Sequence, residues 1–168
     1  MTKRISLDGQ WEFQEAGSAH WQVGTVPGCV QMDLLALGQL PDPFIGMNEI
    51  EMHRLEDTAW SYRKTFTLSE KNLEQDSLDL VVEGIDTLAD VYLNDSLLGH
   101  VNDMFIPQRF DISEHAQVGA NLVEVRFDSP INTIRAIERT SPVKLSSSAE
   151  NARVYVRKAQ YSYGWDWG

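Results

Sequence analysis

The sequence predicts an all-β fold, an antiparallel β-sandwich of jelly-roll type with one or two short helices. Apolar and polar residues alternate with a period of two along much of the chain, which is typical of strands with one buried and one solvated face. Turn residues separate these stretches at short intervals, and helical periodicity is confined to two short segments. Many short strands with little helix favour two packed antiparallel sheets.

Seven stretches carry the strand pattern. The alternation places the aromatic side chains Trp11, Phe13, Trp60 and Tyr62 on one face of their strands, so we expect them in the core of the sandwich. An Asn-Asp pair at 94–95 separates two of the stretches and predicts a hairpin turn. The predicted strands are residues 5–13, 60–68, 77–82, 89–93, 97–101, 121–127 and 153–161.

Two short helices are predicted between the strands. Residues 30–37 form two turns that end at Gly38, and residues 132–139 follow a proline that suits a helix start. Residues 39–55 contain two prolines close together and look too irregular for a strand or a helix. A loop of that length is usually functional or packs onto a neighbouring part of the protein.

Composition excludes several classes of function. The net charge of −11, from 25 acidic and 14 basic residues, argues against nucleic acid or an anionic membrane as partner. Four scattered histidines give no metal-ligand spacing, and no phosphate-binding glycine loop is present, so we expect neither metal nor cofactor. A single cysteine, Cys29, and the lack of an apolar leader predict a cytoplasmic location.

The most informative stretch is residues 161–168, which holds four aromatic rings, one carboxylate and two glycines. Aromatic faces stack on the C–H faces of a pyranose, and a carboxylate accepts hydrogen bonds from its hydroxyls, so this stretch predicts a sugar-binding surface. A chain end is normally polar. We therefore expect residues 1–168 to be one domain of a larger protein, truncated where a binding surface begins.

Several motifs indicate a family. Asp-Gly-Gln-Trp-Glu-Phe at 8–13, Trp-Ser-Tyr-Arg-Lys-Thr-Phe at 60–66 and Ala-Asp-Val-Tyr-Leu-Asn at 89–94 resemble the amino-terminal sugar-binding domain of glycoside hydrolase family 2. That domain is a galactose-binding-domain-like jelly roll. The ending Arg-Lys-Ala-Gln-Tyr followed by Gly-Trp-Asp-Trp-Gly, within 157–168, resembles the β-mannosidase branch in particular.

The resemblance implies an enzyme larger than this chain. Family members are retaining exo-glycosidases, and the β-mannosidases among them remove terminal non-reducing β-D-mannose. Their two catalytic glutamates lie on a (β/α)₈ barrel that follows this domain and a further sandwich. The resemblance therefore implies that residues 1–168 contain no catalytic residue and are inactive alone. It also implies two partners, the catalytic barrel of the same polypeptide and a β-mannoside oligosaccharide.

The resemblance also assigns candidate substrate-binding residues. Asp166 is expected to accept hydrogen bonds from hydroxyls of the terminal mannose, and Trp165 or Trp167 to wall the pocket. Asp103 lies in a loop where related enzymes often place an asparagine near the sugar, so its aspartate departs from the pattern. The alternative for Asp166 is a loop carboxylate that caps backbone amides while both tryptophans pack into the sandwich.

Two other functions remain open at this point. One is a stand-alone carbohydrate-binding module with a complete site of its own. The other is a purely structural sandwich of a β-galactosidase- or β-glucuronidase-type hydrolase. The abrupt aromatic ending counts against the module.

Overall fold

The computed structural model describes residues 4–143, 145–146 and 151–163. Within these residues the secondary structure is mostly β. The strands are β1 Gly9–Glu15, β2 Gln22–Val26, β3 Trp60–Leu68, β4 Asp79–Val82, β5 Ala89–Leu93, β6 Ser96–Val101, β7 Gln108–Asp111 and β8 Gly119–Phe127. The helices are α1 Val30–Ala36, α2 Glu49–Glu56, α3 Glu70–Leu73 and α4 Pro130–Thr140, with 3₁₀ helices at Asn151–Val154 and Gln160–Tyr163.

The strands form two antiparallel sheets. The larger sheet has six strands in the order β2-β1-β3-β8-β5-β6, and β4 pairs with β7 in the smaller one. Asn94 and Asp95 join β5 to β6 with φ angles of 49° and 66°, the left-handed pair that a two-residue hairpin requires. The all-β sandwich and its predicted hairpin are therefore confirmed.

The core lies between the two sheets, because alternation along each strand turns one set of side chains inward. Trp11, Phe13, Trp60 and Tyr62 are all buried, as their positions on β1 and β3 predict. The Phe13 ring stacks on Tyr62 with 5.4 Å between centroids. Leu80 of the smaller sheet is buried in the same cluster, so the two sheets share one core.

A buried carboxylate fixes α1 to the larger sheet. Asp33 Oδ1 accepts a hydrogen bond from the backbone N of Thr25 at 3.0 Å, and Oδ2 accepts one from the Tyr62 hydroxyl at 2.7 Å. A Cβ at Gly24 would lie only 2.7 Å from Asp33 Oδ2, so glycine is what lets the carboxylate approach β2. Burial, and then the bond to Asp33, raises the pKa of Tyr62 far above its ordinary value.

Two predicted elements were wrong. Residues 153–161 are not a strand: two 3₁₀ helices flank a single parallel bridge between Asp103 and Arg157. Residues 39–55 are not entirely irregular, since they contain most of α2, whose Leu55 is buried in the core. In both cases burial of a few apolar side chains, rather than regular periodicity, determines the local conformation.

Candidate functional site

We call residues 164–168 the aromatic ending and residues 151–163 the terminal segment. The terminal segment is the part of the predicted site that the structure describes. Trp165, Asp166 and Trp167 lie outside the described residues. Residues 151–163 lead directly to them, so the contacts of this segment with the rest of the domain fix the position at which the aromatic ending begins.

Apolar side chains hold one side of the segment against α4. Ile131 and Ile134 lie on the inner face of α4, where they form a small buried cluster with Val156. Tyr163 packs against the edge of the same cluster. Pro130 begins the helix, and the Ser129 hydroxyl accepts a hydrogen bond from the backbone N of the residue at helix position three. The apolar face of the capped helix α4 therefore supports one side of the segment.

Two consecutive basic residues fix the other side of the segment. Arg157 Nε lies 3.2 Å from Asp103 Oδ2, and Lys158 Nζ contacts Asp86 Oδ2. The backbone N of Met104 also donates to the carbonyl of Arg157 at 3.1 Å. The segment is thus tied to two separate loops, those that carry Asp86 and Asp103.

Asp103 uses both carboxylate oxygens within the protein. Oδ1 accepts a hydrogen bond from the backbone N of Phe105 at 2.9 Å, and Oδ2 faces Arg157. Its side chain is only 14% exposed, whereas that of Arg157 is 74% exposed. The described contacts of Asp103 are therefore those of a residue that positions the segment. A direct contact between Asp103 and a sugar stays a prediction.

Tyr163 is the last described residue before the ending. Its hydroxyl is buried and has no hydrogen-bond partner among the described residues. Burial raises the pKa of Tyr163; the Asp86 and Glu56 carboxylates raise it further, and Arg153 opposes them. The phenol therefore keeps its proton and remains a hydrogen-bond donor beside the start of the ending.

The end of α2 lies at the same end of the sandwich. The Ser129 hydroxyl donates to the carbonyl of Glu56, and Arg135 Nη1 lies 2.8 Å from Asp57 Oδ1. Glu56 is also close enough to Tyr163 for its charge to act on the phenol. The end of α2, the start of α4 and the terminal segment therefore meet in one region.

The surface where β1 and β3 run side by side offers a second, weaker candidate. A shallow depression there is lined by Gln10, Trp11, Glu12, Arg63, Lys64 and Thr65. Arg63 lies 3.8 Å over the ring of Trp21, and Arg126 lies 4.1 Å over the ring of Tyr92. One face of the Trp21 ring and one face of the Tyr92 ring are thus covered by guanidinium groups, so neither of these faces can stack on a sugar.

Among the described residues, no three or more His, Cys, Asp or Glu side chains are grouped so that they could hold a metal ion. No helix in that part of the chain has the length and apolar character needed to cross a membrane.

Replacing Asp103 with asparagine tests the tie between loop and segment. Loss of the charge should weaken the attraction to Arg157 by about 0.2–1 kcal/mol, so the segment should open about 1.4- to fivefold more often while the core keeps its stability. Native-state hydrogen exchange at the amide of Met104 measures that opening.

The matched control is Asp79→Asn. It removes a similar ion pair to Arg109 on the smaller sheet, away from the segment. Exchange at Met104 should be unchanged in the control. Equal exchange in the two variants would mean that the Arg157 pair does not hold the segment.

Comparison with known proteins adds the family relationships. The family model described as glycosyl hydrolase 2 galactose-binding domain-like matches residues 11–168. The chain is 35% identical to the β-mannosidase B of Emericella nidulans, over 99% of this chain and 20% of that protein. It is 34% identical to the β-mannosidase of Capra hircus, over 98% of this chain and 20% of that protein. The chain thus spans about one fifth of the length of these relatives.

A solved β-mannosidase structure is also similar to this chain. The crystal structure of the β-D-mannosidase from Dictyoglomus thermophilum matches with a TM-score of 0.94 and 41% identity, over 98% of this chain and 20% of that one. The exo-chitosanase CsxA of Amycolatopsis orientalis matches with a TM-score of 0.64, over 71% of this chain and 16% of that one. At 19% identity the latter likeness concerns the fold alone.

Proposed function

We propose, since this chain belongs to the glycosyl hydrolase 2 galactose-binding domain-like family, that it is the amino-terminal accessory domain of a retaining exo-β-mannosidase. The observation that carries the proposal is its likeness to β-mannosidases over nearly its whole length, at 35% identity in sequence and with a TM-score of 0.94 in structure. We call the longer polypeptide that contains this domain the parent enzyme.

The domain's role in this proposal is to complete the terminal-sugar pocket. The carboxylate of Asp166 accepts hydrogen bonds from hydroxyls of the terminal mannose, and Trp165 and Trp167 wall the pocket. Support comes from the segment before them, which α4 and the loops of Asp86 and Asp103 hold in place. A rigidly held segment limits the conformational freedom that the binding loop loses when it meets substrate.

Catalysis in the proposed parent enzyme belongs to a downstream barrel. A retaining glycosidase uses one carboxylate as nucleophile and another as acid/base, about 5–5.5 Å apart across the glycosidic bond. The accessory domain contributes neither group. It adds interactions to the sugar that strengthen as the ring distorts, and such interactions lower the barrier rather than merely increase affinity.

The first test compares the parent enzyme with this domain. We expect the parent enzyme to hydrolyse p-nitrophenyl β-D-mannoside and to discriminate against the β-D-galactoside and β-D-glucuronide by at least about 100-fold in kcat/KM. The 168-residue chain should release no nitrophenol above the uncatalysed rate. Turnover by the 168-residue chain alone, or a preference of the parent enzyme for galactoside or glucuronide, would refute the proposal.

Binding of sugar to the 168-residue chain separates the accessory domain from a stand-alone module. Half a pocket should bind mannose or a β-mannoside only in the millimolar range or more weakly, which isothermal titration measures. Micromolar binding would instead indicate a complete site and an independent binding module.

A further inference from the structure

An exposed apolar loop is the feature that the proposed function leaves unexplained. We call residues 41–50, between α1 and the first turn of α2, the apolar loop. Four of its side chains face solvent, at exposed fractions of 96% for Phe44, 63% for Ile45, 69% for Met47 and 53% for Ile50. Single exposed apolar residues are ordinary, but four within seven positions form a patch that usually marks an interaction site.

Hydrogen bonds within the apolar loop brace it. Asp42 Oδ1 accepts a hydrogen bond from the backbone N of Phe44 at 2.9 Å, and Asn48 Nδ2 donates to the carbonyl of Asp42 at 2.9 Å. Gly46 supplies a φ of +61° for the turn at the tip. Asp42 and Asn48 thus hold the backbone of the loop in one conformation, while its four apolar side chains remain exposed.

The core fixes the apolar loop at both ends. Leu40, directly before it, and Leu55, one turn further along α2, are both buried in the main cluster. Because both ends of the apolar loop are fixed, the loop has little freedom to fold back and bury its exposed side chains. A preorganised apolar surface loses little entropy when it binds a partner.

The position of the apolar loop identifies the kind of partner. Ile50, the last residue of the apolar loop, lies six residues before Glu56 on α2, so the two are about 9 Å apart along the helix axis. Glu56 accepts a hydrogen bond from Ser129 at the start of α4, and Tyr163, whose neighbours along the chain are the predicted sugar-binding residues, packs against the inner face of α4. Whatever completes the sugar pocket therefore lies within reach of the apolar loop as well.

We infer that the apolar loop docks on the catalytic part of the parent enzyme, with Phe44 and Met47 as apolar anchors. The inference rests on the proposed function, which supplies the partner. The chain spans only about one fifth of its relatives, so most of the polypeptide lies outside this domain and is available to cover the patch. Docking at this point orients the aromatic ending against the rest of the pocket.

Oxidation of Met47 tests the docking without requiring activity. In the parent enzyme, hydroxyl-radical oxidation of Met47 should be at least about fivefold slower than in the 168-residue chain, because docking removes most of its 69% exposure. The double variant Phe44→Ser, Ile45→Ser in the parent enzyme should restore fast oxidation. Both replaced side chains face solvent in the domain, so its own fold should be unaffected.

The control variant is Leu97→Ser, Val118→Ser. These side chains are similarly exposed, and Leu97 lies on β6 at the opposite edge of the larger sheet from β2, against which α1 packs. Oxidation of Met47 should stay slow in the control. Equal oxidation of Met47 in the parent enzyme and the 168-residue chain would overturn the inference.

Two further outcomes separate this inference from its premise. Protection of Met47 that grows with the concentration of the 168-residue chain would assign the patch to a second copy, and would overturn the docking proposed here. Slow oxidation of Met47 in a parent enzyme with no activity on β-mannosides would overturn the proposed function but keep the docking.

Discussion

Replacing Asp166 with alanine in the parent enzyme is expected to lower kcat/KM for a β-mannoside by about 30- to 1000-fold, a loss of about 2–4 kcal/mol of transition-state stabilisation. The carboxylate is proposed to hold hydroxyls of the terminal sugar, and those hydrogen bonds are charge-assisted. They should tighten as the ring flattens toward the oxocarbenium-like transition state, so much of the loss should fall on kcat. Steady-state kinetics with p-nitrophenyl β-D-mannoside measures the effect.

A matched variant separates this effect from a general loss of charge. Asp76→Ala removes an exposed carboxylate in the connection between α3 and β4, far along the chain from the ending, and should leave kcat/KM unchanged. A loss below about tenfold in the Asp166 variant would indicate a purely structural sandwich. Loss of folding is excluded if both variants unfold at the same temperature.

Regular burial made most of the strands predictable. In β5 every second side chain is buried, and in β3 the apolar residues Trp60, Tyr62 and Leu68 are buried at even positions. The period of two therefore appears in the sequence, and both predicted strands have the bounds that the structure shows. Strands β2 and β7 are short, and fewer of their side chains are buried. Without that burial the sequence carries little periodic signal, and neither strand was predicted.

The surroundings of the candidate site could not be predicted for a different reason. Asp86 and Asp103 reach Lys158 and Arg157 across 72 and 54 positions of sequence, and no local pattern reports such pairs. The aromatic ending was recognisable because its chemistry is concentrated in consecutive residues. The helix within residues 39–55 was missed because two prolines precede it and its one buried side chain, Leu55, is flanked by charged residues.

Replacing Asp33 with alanine is expected to lower the free energy of unfolding of the domain by about 3 kcal/mol. The change removes the acceptor for the Tyr62 hydroxyl and for the backbone N of Thr25, so two groups in or beside the core lose their partner. It also leaves a cavity beneath α1. Urea unfolding followed by tryptophan fluorescence measures the loss through the shift of the midpoint.

The matched variant Tyr62→Phe should cost less, about 1–1.5 kcal/mol, because it removes one hydrogen bond to the Asp33 carboxylate, whereas Asp33→Ala removes two. The double variant should then be more stable than the sum of the two losses predicts, since both remove the same hydrogen bond. Strict additivity would mean that the 2.7 Å contact contributes nothing.

Alkaline pH gives an independent reading of the same contact. The pKa of Tyr62 is raised in the folded domain, so its contribution to stability is fully present below the ordinary pKa of about 10 and is lost as the pH rises above it. Stability should therefore fall above about pH 10, and Tyr62→Phe should remove that part of the decline. A decline that persists unchanged in the phenylalanine variant would show that other groups cause it. A decline that Tyr62→Phe removes would show that the folded domain favours the protonated phenol, because only the protonated form can donate to the Asp33 carboxylate.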